Sequence, residues 1–203
     1  MSVSKVNKKR SISVVYKKLD RSRGFPENVS LCDLLKLALS RTIDGKSVSS
    51  HWHLRSRTTP DDDRGRQFIH HLDINERWIF GTLIEYVEGK FQPLIRTLDD
   101  DSAVDVEQMA PPEKKEFLEA MEFWLIDRDH VFSVHLGTPR VRALEKYLRW
   151  IFVEKTKVAA DSLFVELMDD IQVTEDDLDN ITKISIVDKV GRDSGFGEIE
   201  FHD

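Results

Sequence analysis

Two apolar blocks, Met121–Asp127 and Val131–Leu136, flank the polar stretch Arg128-Asp129-His130 and constrain the fold more than any other feature of the chain. Both blocks have strand length and are rich in aromatic and branched residues. A link this short can only return the chain antiparallel, because a parallel return needs a crossover of a dozen residues or more. An antiparallel hairpin is therefore expected at the centre of the fold.

Other segments fit the same sheet. Ser11–Tyr16 reads as a first strand, and Gln67–Leu72 and Trp78–Val87 read as two more, the last closing at the hairpin-like turn Glu88-Gly89-Lys90. His51–Arg57 alternates strictly. A strand there would turn Trp52 and Leu54 to the core and gather His51, His53, Arg55 and Arg57 on the opposite face. Ile181–Val187 alternates as well and reads as a final strand, whereas Leu163–Met168 is too short for periodicity to separate strand from helix.

Two segments have helical spacing. Ser30 is a good N-cap, and Leu31, Leu34, Leu35 and Leu37–Leu39 continue the pattern to Arg41, with Asp44-Gly45 ending the unit. Gly137-Thr138-Pro139 opens the second, with Thr138 as N-cap and Pro139 at the first helical position. Its apolar stripe is Val141, Leu144, Leu148, Ile151 and Phe152, running to Glu154. Thr174–Leu178 resembles one capped helical turn. The expected architecture is α+β, a mostly antiparallel sheet with two principal helices packed on one face. The expected organisation is a flexible basic arm over 1–10, one domain over 11–190 carrying an acidic loop at 98–112, and a frayed tail over 191–203.

Charge is distributed unevenly along the chain. Residues 1–23 hold eight cations, among them Lys8, Lys9 and Arg10, against Asp20 alone, while residues 161–203 hold thirteen acids against Lys183, Lys189 and Arg192. Such two-endedness points to a binding surface more than to a catalytic cleft. On the second helix Arg142, Lys146 and Arg149 recur at i, i+4 and i+7, one face opposite the apolar stripe. Beside Arg55, Arg57 and the basic arm they would line a groove for phosphate. Cys32 is the only cysteine, so intramolecular disulfides and thiolate metal clusters are excluded, and its apolar neighbours mark it as a buried thiol. With no apolar run long enough to cross a bilayer and no secretory leader pattern, a cytoplasmic location is expected and no membrane partner.

Signals for chemistry are sparse. His51 and His53, with His70-His71, could offer imidazoles to a metal, but no carboxylate at a typical spacing completes a set. The runs Asp61–Asp63 and Asp99–Asp101 lack the glycine and spacing of a calcium loop. Arg66 with His71, and Arg128 with His135, resemble the arginine–histidine pair of the HEPN ribonucleases, yet that pair belongs on a long helix and both copies fall in expected strands. No phosphate-binding glycine loop and no nucleophile elbow occurs. No catalytic residue, metal or cofactor is assigned.

The order of blocks resembles the RexA-like group of phage and prophage exclusion proteins. The likeness runs from Trp78-Ile79-Phe80-Gly81 through the acidic, proline-bearing insertion and the hairpin Phe123-Trp124-Leu125-Ile126 to Val134. It continues with Thr138-Pro139 opening an amphipathic helix, then Leu163–Leu167 and Ile181–Val187. The resemblance implies a non-enzymatic nucleic-acid-binding accessory protein in phage–host conflict, engaging DNA or a protein–DNA complex, often as a dimer. The phosphate contacts expected are Arg55, Arg57, Arg142, Lys146 and Arg149, with Lys8, Lys9 and Arg10 of the arm. The alternative is a protein-interaction module, or a phage-encoded inhibitor, whose acidic C-terminal third around Asp176, Asp177 and Asp179 mimics nucleic acid or docks on a basic protein. A ribonuclease using Arg66 and His71 is the third reading.

Overall fold

In the computed structural model, which describes residues 14–59, 62–97, 104–137 and 142–169, the expected alternation becomes a seven-stranded sheet. In chain order, β1 (Val15–Leu19) leads through a single 3-10 turn to α1 (Leu31–Ser40). The two-residue strands β2 (Thr42–Ile43) and β3 (Lys46–Ser47) form a miniature hairpin. A second 3-10 turn, Trp52–Arg55, precedes β4 (Ser56–Thr59), β5 (Asp62–Ile74) and β6 (Trp78–Val87). A separate two-stranded sheet, β7 (Gln92–Thr97) and β8 (Val104–Met109), comes before β9 (Leu118–Asp127) and β10 (His130–Gly137). The described chain ends with α2 (Ala143–Trp150) and the edge strand β11 (Leu167–Met168). Strand order in the main sheet is β11-β1-β10-β9-β6-β5-β4, antiparallel throughout. The architecture is the expected α+β.

The central hairpin is β9–β10. Asp127 pairs with His130, and the two turn residues are Arg128 and Asp129, with Arg128 in the left-handed region at φ 53°. This turn also anchors the first helix. Leu31 N–H donates to Asp129 Oδ1 at 3.0 Å and Cys32 N–H donates to the Arg128 carbonyl at 2.9 Å, satisfying two of the amides that a helix start leaves without partners. Ser30 adds the expected cap, accepting from Asp33 N–H.

Both helices bury their apolar stripes on one face of the sheet. Leu31, Leu34, Leu35, Ala38 and Leu39 of α1 and Leu144, Tyr147 and Leu148 of α2 join Ile69, Ile79, Leu83, Trp124, Ile126 and Val131 in one core. Each large side chain enclosed there contributes roughly 1.5–3 kcal/mol. The last turn of the second helix widens into a π-turn over Ile151–Lys155, which lets the consecutive Ile151, Phe152 and Val153 all be buried. Gly81 on β6 has a packing reason: a methyl group there would collide with the indole of Trp124, which lies across it.

Three expectations change. His51–Arg57 is not one strand: Trp52–Arg55 form a 3-10 turn, and Trp52 is 54% exposed instead of facing the core. The acidic 98–112 insertion contains β8, paired from Val104↔Thr97 to Met109↔Gln92. The first strand spans Val15–Leu19, and Ser11–Ser13 lie outside the described residues. Of the second helix, regular turns begin at Ala143, and Thr138, Pro139 and Val141 are outside the described residues. So are the arm over 1–10, the turn Thr174–Leu178, the strand Ile181–Val187 and the tail; the chain divides at Asp169, and the second unit, Asp170–Asp203, is not described.

Candidate nucleic-acid interface

The arginines expected to bind phosphate are engaged in hydrogen bonds within the protein, and Arg55 is buried. Arg55 is 5% exposed. Its Nε donates to the Ile69 carbonyl at 3.1 Å and its Nη1 to the Val48 carbonyl at 2.9 Å and to the Ser49 carbonyl. Burial pulls its pKa down. This corrects its assignment, because a guanidinium buried in the interior and held on three carbonyls is not accessible to a phosphate. Arg57 lies beside α2, as a shared groove requires, but it donates to Gln67 Oε1 at 2.9 Å and to the Lys146 carbonyl at 2.9 Å. It also packs over the rings of Tyr147 and Trp150 at 5.6 and 5.8 Å.

The basic positions of α2 diverge in the same manner. Arg149 donates to the Leu163 carbonyl at 3.1 Å and the Asp161 carbonyl at 3.0 Å, tying the following loop to the helix. Arg142 sits at the N-cap in a left-handed conformation, φ 56°, and donates to Glu166 Oε1 at 3.0 Å. Lys146 is exposed. Lys8, Lys9 and Arg10 lie outside the described residues. Among the described residues, Arg57 and Lys146 are brought together and Arg55 is taken inside.

Ionisable groups also cluster under α2, where Glu85, Glu122 and Glu145 are all buried. His135 Nε2 lies 3.1 Å from Glu122 Oε1 and 3.1 Å from Ser133 Oγ. The hydrogen bond to Glu122 raises the His135 pKa, against the opposite effect of burial. Burial raises the pKa of Glu145, whose Oε1 accepts from Leu167 N–H. Serine activation needs the carboxylate and the hydroxyl on different imidazole nitrogens, and here both meet Nε2, so the arrangement is an ionic clamp and not a nucleophile relay. The Arg66/His71 and Arg128/His135 pairs stand on strands and a turn, away from the helical setting of the HEPN pair.

The face of the sheet opposite the helices holds what the sequence reading missed. On β5, Gln67 and Ile69 point to the core, so Phe68 points away from it; on β6, Tyr86 does the same between Glu85 and Val87. Register then shifts between Ile69 and Leu72, where β5 carries two residues, His70 and His71, against Thr82 alone. Such a bulge interrupts alternation, and both imidazoles come out on the face opposite α1 and α2: His70 contacts the Phe68 ring at 6.2 Å and His71 the Phe80 ring at 6.0 Å. Trp52 closes the group. It lies 5.4 Å from Phe68 and 6.3 Å from His53, which in turn is 5.6 Å from His51, and Phe68 reaches Tyr86 at 6.2 Å.

Six rings are thus in continuous contact along the β4–β6 margin: His51, His53, Trp52, Phe68, His70 and Tyr86. Trp52, His53 and His70 are exposed, and Phe68 and Tyr86 are half-buried. Buried Arg55 holds the loop that presents them, since its three carbonyl acceptors bind Val48 and Ser49 of the loop to Ile69 of β5. Arg64 is exposed on the same strand, and Arg66, opposite Tyr86, pairs with Glu88 at 2.8 Å. Among the described residues no group of three or more His, Cys, Asp or Glu side chains converges as a metal site, and no helix is long and apolar enough to cross a membrane.

Comparison of the chain with protein-family models, with curated proteins and with solved structures gives no match.

Proposed function

We propose that this chain is a non-enzymatic nucleic-acid-binding accessory protein whose interface is the ring-bearing margin of the sheet, not the groove between α2 and the 51–57 segment. The observation that carries this reading is the uninterrupted contact of six rings from His51 to Tyr86 on the sheet face opposite α1 and α2. Aromatic groups displayed on a β-sheet are a recurrent way of engaging bases. Imidazoles beside them, with the exposed Arg64, supply polar groups to meet phosphate, while Arg66 is held by Glu88 and Thr58. A role in phage–host conflict rests on the block order shared with the RexA-like group.

The test is fluorescence anisotropy of labelled DNA and RNA, single-stranded and duplex, titrated with the full chain at rising salt. Binding that weakens with salt, by a slope of roughly 0.7–0.9 per phosphate contacted, is expected. Absence of binding to every one of these probes would remove the reading.

A further inference from the structure

Resting on that reading, we propose that the ring chain is a stacking site, so that the nucleic acid taken is an unpaired strand with successive bases laid on Trp52 and the rings beside it. A duplex turns only base edges and phosphates outward, and the flat faces of its bases are already stacked on one another. A protein surface that offers ring faces has something to give only to bases that are out of the helix.

The surface here has the parts such a site needs. Trp52 is 54% exposed, and it meets Phe68 at 5.4 Å in a tilted contact of 56°, so much of the indole remains accessible beside its neighbours. The support is stiff: Leu54 N–H closes the 3-10 turn onto the His51 carbonyl at 3.0 Å, and Arg55 pins the same loop to β5. His51 Nδ1 is held by the Ser47 carbonyl at 3.0 Å, which fixes the ring with Nε2 directed elsewhere. Tyr86, Phe68 and Trp52 follow one another across β6, β5 and the loop before β4, so the rings cross the strands in sequence.

Around the cluster stand Arg64, Arg66 and the imidazoles of His51, His53, His70 and His71, together with the acids Asp62, Asp63, Asp73, Glu88 and Glu116; Glu88 is paired with Arg66 and the Asp62 carboxylate accepts from Arg64 N–H at 3.0 Å. Phosphates would meet Arg64 and the imidazoles at the rim while bases meet the rings. Because every base has a flat face, such a site is tolerant of sequence.

The experiment uses the full chain with three labelled probes: an oligothymidylate of about 20 nucleotides, the matching oligouridylate, and a mixed-sequence duplex of similar length. Tryptophan emission should be quenched on adding either single strand. Trp52→Ala should weaken single-strand binding by about 10-fold, with Trp52→Phe restoring most of it. Trp52 is exposed, so its variants should melt as the parent does. Phe68→Ala, more buried, is read only alongside a melt. Duplex binding as tight as single-strand binding, unchanged in Trp52→Ala, would overturn the stacking site and leave nucleic-acid binding standing. Failure of all three probes would overturn both, and capture of a protein partner through Trp52 without any oligonucleotide binding would do the same.

Discussion

The carboxylate of Asp129 accepts from Arg21 Nε at 2.8 Å through one oxygen and from Leu31 N–H at 3.0 Å through the other, so a two-residue β-turn holds both a loop arginine and the start of a helix. Arg21 also donates to the Pro26 carbonyl at 2.6 Å and the Val29 carbonyl at 2.9 Å, which fixes the path into α1. Asp129→Ala should cost about 1–3 kcal/mol, the range for a lost helix cap with a charge-assisted partner. Urea unfolding gives the answer directly, and an unchanged midpoint would show that the turn does not anchor the helix.

Arg55 distinguishes a positioning role from a phosphate contact. Arg55→Met should lower stability by about 2–4 kcal/mol, because three interior carbonyls lose their donor. Arg149→Ala, half-buried and bonded to the Leu163 and Asp161 carbonyls, should cost less, about 1–2 kcal/mol. If Arg55 only holds the Trp52 loop, its replacement lowers oligonucleotide affinity without changing the salt slope. A slope reduced by roughly one would instead mean direct phosphate contact.

The clamp under α2 makes stability depend on pH with a definite sign. The folded pKa of His135 lies above its ordinary 6.5 because of the hydrogen bond to Glu122, and that of Glu145 lies above 4.5 because of burial. In both cases the folded chain holds a proton that the unfolded chain releases. The contribution of each is complete below its ordinary value and is lost as pH rises through the raised one. These two groups therefore lower stability from weakly acid toward alkaline pH. Thermal melts between these limits should show His135→Gln removing the upper part of the fall and Glu145→Gln the lower part. The glutamine carbonyl can still accept from Leu167 N–H, so Glu145→Gln should not destabilise near neutrality.

Gly81 should be irreplaceable by alanine for steric reasons alone. The added methyl meets the Trp124 indole, itself 1% exposed with no room to retreat. Overpacking of this kind costs about 1–3 kcal/mol. Circular dichroism melts of Gly81→Ala and Gly81→Ser, with equal losses or a greater loss for serine, check it.

Much of the fold was legible because its determinants are local. Trp78–Val87 runs as a strand over the expected residues, Ser30 caps α1, and the Arg128-Asp129 turn joins the two blocks of the central hairpin. Local signals also misled. His51–Arg57 satisfies a two-residue period, but Arg55 finds its carbonyl acceptors at Val48, Ser49 and Ile69, and that long-range demand coils the segment and exposes Trp52. β8 carried a signal, Val104 and Val106 alternating with Asp105 and Glu107, that the surrounding aspartates and prolines obscured. The ring margin could not be read in advance. Both faces of β6 are apolar, with Ile79 and Leu83 on one and Phe80 and Ile84 on the other, so alternation alone does not say which faces the helices.

Because β5 spends two residues where β6 spends one, the segment His70–His71 acts as a phase-setter for everything after it. Exchanging either histidine for another side chain leaves Leu72 and Ile74 where they are. Deleting one would leave a single residue opposite Thr82 and restore strict pairing, with Leu72 still opposite Gly81 and Ile74 still opposite Ile79, whereas losing both would set Leu72 opposite Thr82 and turn Asp73 toward the helices. The parity of length at this point therefore matters more than identity, and substitutions or a one-codon loss should be tolerated where a two-codon loss is not.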